Sequence, residues 1–175
     1  MLTTTLRALP LVADTLRAGL DAVGATQVEV LLQGSGPKRA LLQRFLAAPA
    51  AVLVGSQTFW EGIDVPGDAL QCVLIDKLPF PPPNDPLVEA RVKRLESEGR
   101  NPFADYFVAE AAVSLKQGAG RLIRSETDRG LLVVCDPRMA GMNYGKRLRQ
   151  ALPPMTLLGT EAEALEWLGS LATEA

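Results

Sequence analysis

One stretch, Ala51-Val52-Leu53-Val54-Gly55-Ser56-Gln57-Thr58, decides the fold, because an unbroken apolar run passes directly into polar residues. Apolar side chains on both faces predict a strand that helices cover on both sides, as in a parallel sheet. We therefore expect an inner strand at residues 51–54. The polar side chains that follow it should lie at the carboxyl edge of the sheet, where open α/β sheets bind their ligands.

Apolar strands and helical segments alternate on both sides of this stretch. Further strands are predicted at residues 28–32, 70–75 and 131–135, with a short one at Met155 to Leu158, and Met1 to Thr5 is typical of the tail of a strand. Helices are predicted at residues 6–23, 38–47, 87–98, 103–123, 144–152 and 161–171. This alternation predicts a single α/β domain over residues 1–175, with a mainly parallel sheet flanked by helices.

The composition excludes several classes of protein. A hydrophobic fraction of 47% supports a real core, and a formal net charge of −2 argues against a protein that coats DNA non-specifically. The absence of histidine excludes Ser-His-Asp and Cys-His catalysis and most zinc chemistry. No apolar run reaches the roughly 20 residues that span a bilayer, and no signal peptide is visible, so we expect a cytoplasmic protein without a membrane partner.

The two cysteines, Cys72 and Cys135, each lie within an apolar run that is predicted to be a strand. Isolated cysteines of this kind predict neither a disulfide framework nor a metal site. Free cysteine is among the most buried residue types in folded proteins. We therefore expect both residues to be buried thiols in a reducing compartment.

A second stretch, Gln117-Gly118-Ala119-Gly120-Arg121-Leu122-Ile123-Arg124, is the strongest functional candidate. On a helix, Gln117, Arg121 and Arg124 are spaced i, i+4 and i+7 and share one face. Guanidinium groups are planar, permanently charged and matched in shape to phosphate, so the two arginines could form a fork for phosphate oxygens. From the residues alone, a solvated face with surface salt bridges is the alternative.

The loop after the inner strand is the second candidate. It carries polar side chains at Ser56, Gln57, Thr58, Glu61 and Asp64, and glycines at positions 62 and 67 that permit close approach of a ligand. Hydroxyl and amide side chains commonly contact the backbone of a nucleic acid. From composition alone, an ordinary polar loop is the alternative.

Both candidates resemble motifs of the DinG/YoaA/XPD family of superfamily-two DNA helicases, and the DinG and YoaA branch in particular. Gln117 to Arg124 fits every defining position of motif six, and residues 59–67 resemble motif five. Leu2 to Thr5 resembles the end of motif four, and Asp76 to Pro86 resembles a Leu-Pro-Phe segment of the family. The resemblance covers roughly residues 2–154 and implies a three-layer RecA-like domain of the P-loop NTPase type.

The resemblance also implies roles for particular residues. The catalytic groups that reach the nucleotide on a partner RecA-like domain would be Arg121, Arg124 and Gln117. The nucleotide side of the cleft would further include Glu61, Gly62, Asp64 and Gly120. Contacts with the DNA backbone would come from Thr4, Ser56, Gln57 and Thr58.

The family's other functional parts have no counterpart in this sequence. It contains no Gly-Lys-Ser/Thr phosphate loop and no Asp-Glu-x-His box, both of which belong to the first RecA-like domain. We therefore expect a fragment with motifs four to six of an ATP-dependent DNA helicase that works in DNA repair or replication. Its partners would be single-stranded DNA and the N-terminal RecA-like domain, which would hold ATP and Mg²⁺. The family's iron–sulfur cluster would belong to that same absent half, and the fragment alone should have negligible ATPase activity.

A docking module for a replication partner is the alternative function. Helicases of the YoaA type pair with the chi subunit of DNA polymerase III, and the segment Leu165-Glu166-Trp167-Leu168 is a candidate contact, with core packing as its alternative. Three basic sites also stay open. Lys77 is a candidate phosphate contact in a structural proline loop, and Arg138 would serve either the arginine cluster or packing. Lys146 to Arg149 would be a phosphate-binding patch or a solvated face.

Overall fold

A five-stranded sheet forms the centre of the domain. The computed structural model describes residues 1–60, 65, 69–123 and 128–173. The strands are β1 (Leu2–Thr3), β2 (Glu29–Leu32), β3 (Ala51–Ser56), β4 (Cys72–Ile75) and β5 (Leu131–Val134), in the spatial order β2-β3-β1-β4-β5. All neighbouring pairs are parallel, which confirms the predicted parallel sheet and places the apolar β3 inside it.

Helices cover both faces of this sheet. They are α1 (Ala8–Ala22), α2 (Lys38–Ala47), α3 (Gln57–Trp60), α4 (Pro86–Ser97), α5 (Val108–Leu122), α6 (Arg138–Gly141), α7 (Asn143–Ala151) and α8 (Glu161–Thr173). Successive side chains of a strand point to opposite faces. Val54 of β3 therefore packs against Leu9 and Ala13 of α1, whereas Leu53 belongs to a larger cluster on the other face.

The larger cluster is built around α5. Its members include Leu41 of α2, Leu115 and Leu122 of α5, and Leu148 of α7, which are almost completely buried. The buried residues of α5 recur every three or four positions, so one stripe of this helix faces the sheet. The face-by-face packing confirms an α/β domain of three layers, with the sheet between two layers of helices.

A π-helical turn (Phe103–Phe107) leads into α5. The ring of Phe103 contacts the rings of Phe80 and Tyr144, with centroids 5.7 Å and 5.2 Å away. These contacts join the proline-rich loop after β4 to the start of α7. The predicted helix at residues 103–123 is thus confirmed, with a change of helical form at its beginning.

Two predictions about the sheet are wrong. The segment from Met155 to Leu158 is not a strand, and the Leu157 side chain is 82% exposed. Its apolar pattern imitates a strand, but a strand also needs a partner edge, and no described strand pairs with it. Cys135 is exposed because it follows the last residue of the edge strand β5, and Cys72 is only partly buried. The expectation of two buried thiols therefore fails.

Candidate functional site

All five strands end at one edge of the sheet because they are parallel, and the residues that follow them form the candidate site. The backbone N–H of Thr4, after β1, donates to Asp76 Oδ1, after β4, at 3.0 Å. The N–H of Asp76 donates in turn to the carbonyl oxygen of Leu2 at 3.0 Å. This edge is where the parallel order of the strands predicts ligand binding.

The turn after β3 is held in place by its neighbours. The backbone N–H of Ser56 donates to Gln33 Oε1 at 2.7 Å, and the Ser56 hydroxyl lies 3.0 Å from that of Thr58. A Cβ at Gly55 would come within 2.8 Å of the Phe59 ring, so glycine allows the chain to fold back here. Ser56 is buried and Thr58 is exposed, so of these two predicted DNA contacts only Thr58 faces solvent.

Gln57 connects this turn to α5. Its Nε2 donates to the Ser114 hydroxyl at 2.9 Å. Gln57 and Ser114 also line a shallow depression together with Thr4 and Pro79. The structure thus brings Gln57 and Thr4, both predicted to contact DNA, into one surface. A different depression, between α1 and β2, contains none of the predicted site residues.

The C-terminal end of α5 carries the described part of the arginine stretch, by which we mean Gln117 to Arg124. Gln117 is exposed and Arg121, on the last helical turn, is half-buried. A Cβ at Gly118 would lie 3.6 Å from Ile75 and 3.8 Å from Leu2, which are ordinary contact distances, so the helix rests directly on the sheet. A Cβ at Gly120 would meet no atom of the described residues within 4 Å, so among those residues this side of the helix end is open.

Four predicted site residues lie outside the described residues. They are Glu61, Gly62 and Asp64 of the loop after β3, and Arg124 of the arginine stretch. Their roles stay predictions. The described residues on either side of Glu61 to Asp64 are Trp60 and Val65, which are both buried, and the Trp60 indole nitrogen has no hydrogen-bond partner among the residues that the structure describes.

Asp136, two residues after β5, anchors the loop that follows β4. Its carboxylate accepts a hydrogen bond from the backbone N–H of Leu78 at 2.9 Å and binds the Arg138 guanidinium, with Nη2 to Oδ2 at 2.6 Å. The Arg138 guanidinium holds the pKa of the buried Asp136 carboxyl well below its usual range, and the N–H of Leu78 adds to the effect. Arg138 also lies 5.4 Å from the centre of the Phe80 ring, which favours its packing role.

The remaining candidates have simpler surroundings. Lys77 and Lys146 are exposed, while Arg147 and Arg149 donate to the backbone carbonyl oxygens of Ala104 and Met139. Within the described residues, no group of three or more acidic or cysteine side chains could hold a metal ion. None of the described helices combines the length and the apolar character that a membrane crossing needs.

The candidate docking segment on α8 divides into two parts. Leu165 is exposed, whereas Trp167 and Leu168 are half-buried, and the Arg129 guanidinium lies 5.9 Å from the Trp167 ring centre. Packing therefore accounts for Trp167. Contact with another protein stays a prediction for the exposed side of the helix.

Sequence reasoning did not predict the contacts of three side chains that organise the site. Gln33 holds the turn after β3, Ser114 receives Gln57, and Asp136 joins two loops. Each acts on a residue far away in the chain, so no local spacing marks it. The only available signal was the position of Asp136 directly after a predicted strand, where ligand and loop contacts concentrate.

Comparisons with known proteins find similar sequences and a similar fold. Residues 1–155 match the family model described as the helicase C-terminal domain. The chain is similar to the ATP-dependent DNA helicase YoaA of Haemophilus influenzae, with 47% identity over 73% of this chain and 20% of that protein. It is also similar to the ATP-dependent helicase DinG of Mycobacterium tuberculosis, with 46% identity over 71% of this chain and 19% of that protein.

A solved XPD helicase has the same fold, with a TM-score of 0.59 and 19% identity over 89% of this chain and 28% of that chain. The chain spans about a fifth of the length of the two curated relatives, so it corresponds to one part of a larger protein in each case.

Proposed function

Because the chain belongs to the family of helicase C-terminal domains, we propose that it is the second motor domain of an ATP-dependent DNA helicase of the DinG and YoaA kind. ATP would be hydrolysed in a cleft between this domain and an N-terminal RecA-like domain, and hydrolysis would drive movement along single-stranded DNA. ATP and Mg²⁺ would be held mainly by that other domain, as would an iron–sulfur cluster.

The placement of Arg121 is the observation that carries the proposal. Arg121 is half-buried on the last turn of α5, Gln117 is exposed one turn earlier, and none of the described side chains lies over Gly120 beside them. This combination of a guanidinium group, an amide and an uncovered backbone can receive the phosphates of a nucleotide held by another domain. Arg121, together with Arg124, would offset the negative charge on the γ-phosphoryl group as it is transferred to water.

The polar groups at the carboxyl edge would form part of the DNA track. Thr4, Gln57 and Thr58 offer uncharged donors and acceptors, which suit contacts that fix the register of a sugar-phosphate backbone. Ser56 is buried against Thr58 and would act on DNA through that residue. The following residues Glu61, Gly62 and Asp64 would serve the nucleotide side of the same loop.

Replacement of Arg121 tests the proposal. In the helicase that contains this domain, Arg121→Ala should lower kcat for ATP hydrolysis by about a thousandfold, because an arginine at the γ-phosphoryl group is worth at least that much in related enzymes. Arg121→Lys should recover only part of the rate, since a lysine retains the charge and loses the planar fork. The isolated 175-residue chain should not hydrolyse ATP measurably.

Arg44→Ala is the matched control, because Arg44 is an exposed arginine on the last turn of α2 whose partner, Glu29, begins β2 at the opposite edge of the sheet. It should leave the rate of hydrolysis unchanged. Hydrolysis at the normal rate by Arg121→Ala, or DNA-stimulated hydrolysis by the isolated chain, would contradict the proposed division of labour.

Docking to a replication partner is the second candidate function. Leu157, which precedes α8, is 82% exposed, and Leu165, on α8, is 62% exposed. Both side chains leave apolar surface available for another protein. We would compare the intact chain with one that ends at Thr160 in a pull-down with the chi subunit of DNA polymerase III. Loss of binding on truncation supports docking through α8, and equal binding by both chains rules that site out.

A further inference from the structure

The side-chain hydrogen bond between Gln57 and Ser114 links the proposed DNA track to the arginine-bearing helix. Bonds between two side chains are a minority of protein hydrogen bonds, and this one joins residues 57 positions apart. A hydroxyl in the middle of a helix ordinarily bonds to a carbonyl oxygen of its own helix, as Thr15 does to Leu11 at 2.8 Å. The Ser114 hydroxyl accepts a hydrogen bond from a side chain of another element.

Gln57 starts from a turn that is held on several sides. The Ser56 N–H is bonded to Gln33, the Ser56 hydroxyl lies against Thr58, and Phe59 packs over Gly55. The Gln57 amide is therefore aimed at α5 by a fixed backbone. A ligand that displaces Gln57 or Thr58 would therefore act on Ser114 through the Gln57 side chain.

Ser114 acts in turn on a rigid element. Gly118 and Arg121 follow it at i+4 and i+7 and so lie on the same face of α5. Leu115 and Leu122, on the adjoining buried stripe, are fully enclosed in the core. A packed helix moves as one body, so a shift at Ser114 reaches Arg121, two turns or about 10 Å further on.

We propose that Ser114 is a positioning residue that couples the DNA-facing turn after β3 to Arg121, so that DNA in the track changes the placement of this arginine. The inference rests on the proposed helicase function. Thr4, Gln57 and Ser114 line one depression, so a backbone phosphate seated there would compete with Ser114 for the Gln57 amide. DNA binding would thereby release one restraint on α5.

The test compares ATP hydrolysis with and without single-stranded oligothymidylate in the helicase that contains this domain. Ser114→Ala removes the hydroxyl, Ser114→Thr retains it, and Thr15→Ala removes a helix hydroxyl that bonds to a carbonyl oxygen within α1. The ratio of stimulated to basal rate should change by about 2- to 30-fold in Ser114→Ala, the range found for residues that carry coupling between sites. The ratio should stay normal in Ser114→Thr and Thr15→Ala.

A structural role would give a different pattern. If Ser114 only stabilised the fold, Ser114→Ala would lower the Tm and both rates together, with an unchanged ratio. That result, or a normal ratio at a normal Tm, overturns the inference while the proposed function stands. If the unmodified helicase shows no DNA-stimulated hydrolysis, the proposed function fails and this inference fails with it.

A double-mutant cycle gives an independent measurement. Gln57→Ala, Ser114→Ala and the double variant should show non-additive effects on the stimulation ratio, because both replacements remove the same bond. Additive effects would mean that the two side chains act separately and would contradict the coupling.

Discussion

Asp136 fixes the relative positions of two loops at the site. Its carboxylate binds the Leu78 N–H on one side and Arg138 on the other, and only 4% of its side-chain surface is exposed. The sequence marked Arg138 as a candidate, but it could not predict the hydrogen bond between Leu78 and Asp136, because these residues are 58 positions apart in the chain. For the same reason, Gln57 was recognised as a site residue from its place after a strand, while its partner Ser114 was not.

In the variant Asp136→Asn, the stability of the domain should therefore change less as the pH falls into the acid range. The folded-state pKa of Asp136 is depressed, so its contribution is complete above the unfolded-state pKa of about 4 and is lost as the pH falls towards the folded-state value. At pH 7 the variant should be less stable by about 1–3 kcal/mol, the cost of removing a charged hydrogen-bond partner. The measurement is the Tm of both proteins between neutral pH and about pH 3.

Asp21→Asn is the control at this scale, because Asp21 is an exposed aspartate near the end of α1. It should change the Tm very little at any pH. Equal dependence of the Tm on pH in Asp136→Asn and the unmodified chain would contradict the role given to Asp136.

Most helices were predictable at the scale of single elements. The bounds of α2 agree with the predicted residues 38–47, and α1 ends before Gly24, whose positive φ of 72° favours glycine. The spacing of apolar residues predicts these helices correctly because each of them buries one side and exposes the other. It failed at Met155 to Leu158, since the pairing of a strand depends on an edge that the local sequence does not encode.

The helix α4 depends strongly on its first turn. Asp85 accepts hydrogen bonds from the N–H groups of Leu87 and Val88 at 2.8 Å and 3.3 Å, and Val88 is its only fully buried residue. Asp85→Ala should cost about 1 kcal/mol, as is usual for the loss of an N-cap. Because little packing compensates, the amides of α4 should exchange with deuterium faster while those of α5 stay protected.

Asn84→Ala supplies the matched comparison, since Asn84 is the exposed neighbour of Asp85. Its amide exchange should match that of the unmodified chain. Unchanged protection of α4 in Asp85→Ala would mean that other contacts hold the helix.

For the whole molecule, α5 is the principal support of the core. Leu115 is fully buried in the larger cluster, whereas Val113 on the same helix is 53% exposed. Leu115→Ala should destabilise the domain by about 2–5 kcal/mol, because the neighbouring side chains cannot fill the cavity. Val113→Ala should cost less than about 1 kcal/mol, a difference that chemical unfolding measures directly.

The opposite ranking of these two variants would contradict the packing described for α5. The prediction matters for the site as well, because Ser114, Gly118 and Arg121 are carried by the same helix. A variant that loosens the core under α5 should therefore impair ATP hydrolysis, although the replaced side chain is not one of those proposed to contact the nucleotide or the DNA.

The order of the strands has a consequence for how the domain forms. The central strand β1 is hydrogen-bonded to β3 and β4, which both come much later in the chain. Closing such long loops costs entropy before the contacts repay it, and proteins with distant pairings fold in milliseconds to seconds rather than microseconds. During synthesis, β1 must therefore wait until β4 has emerged before both of its edges are paired.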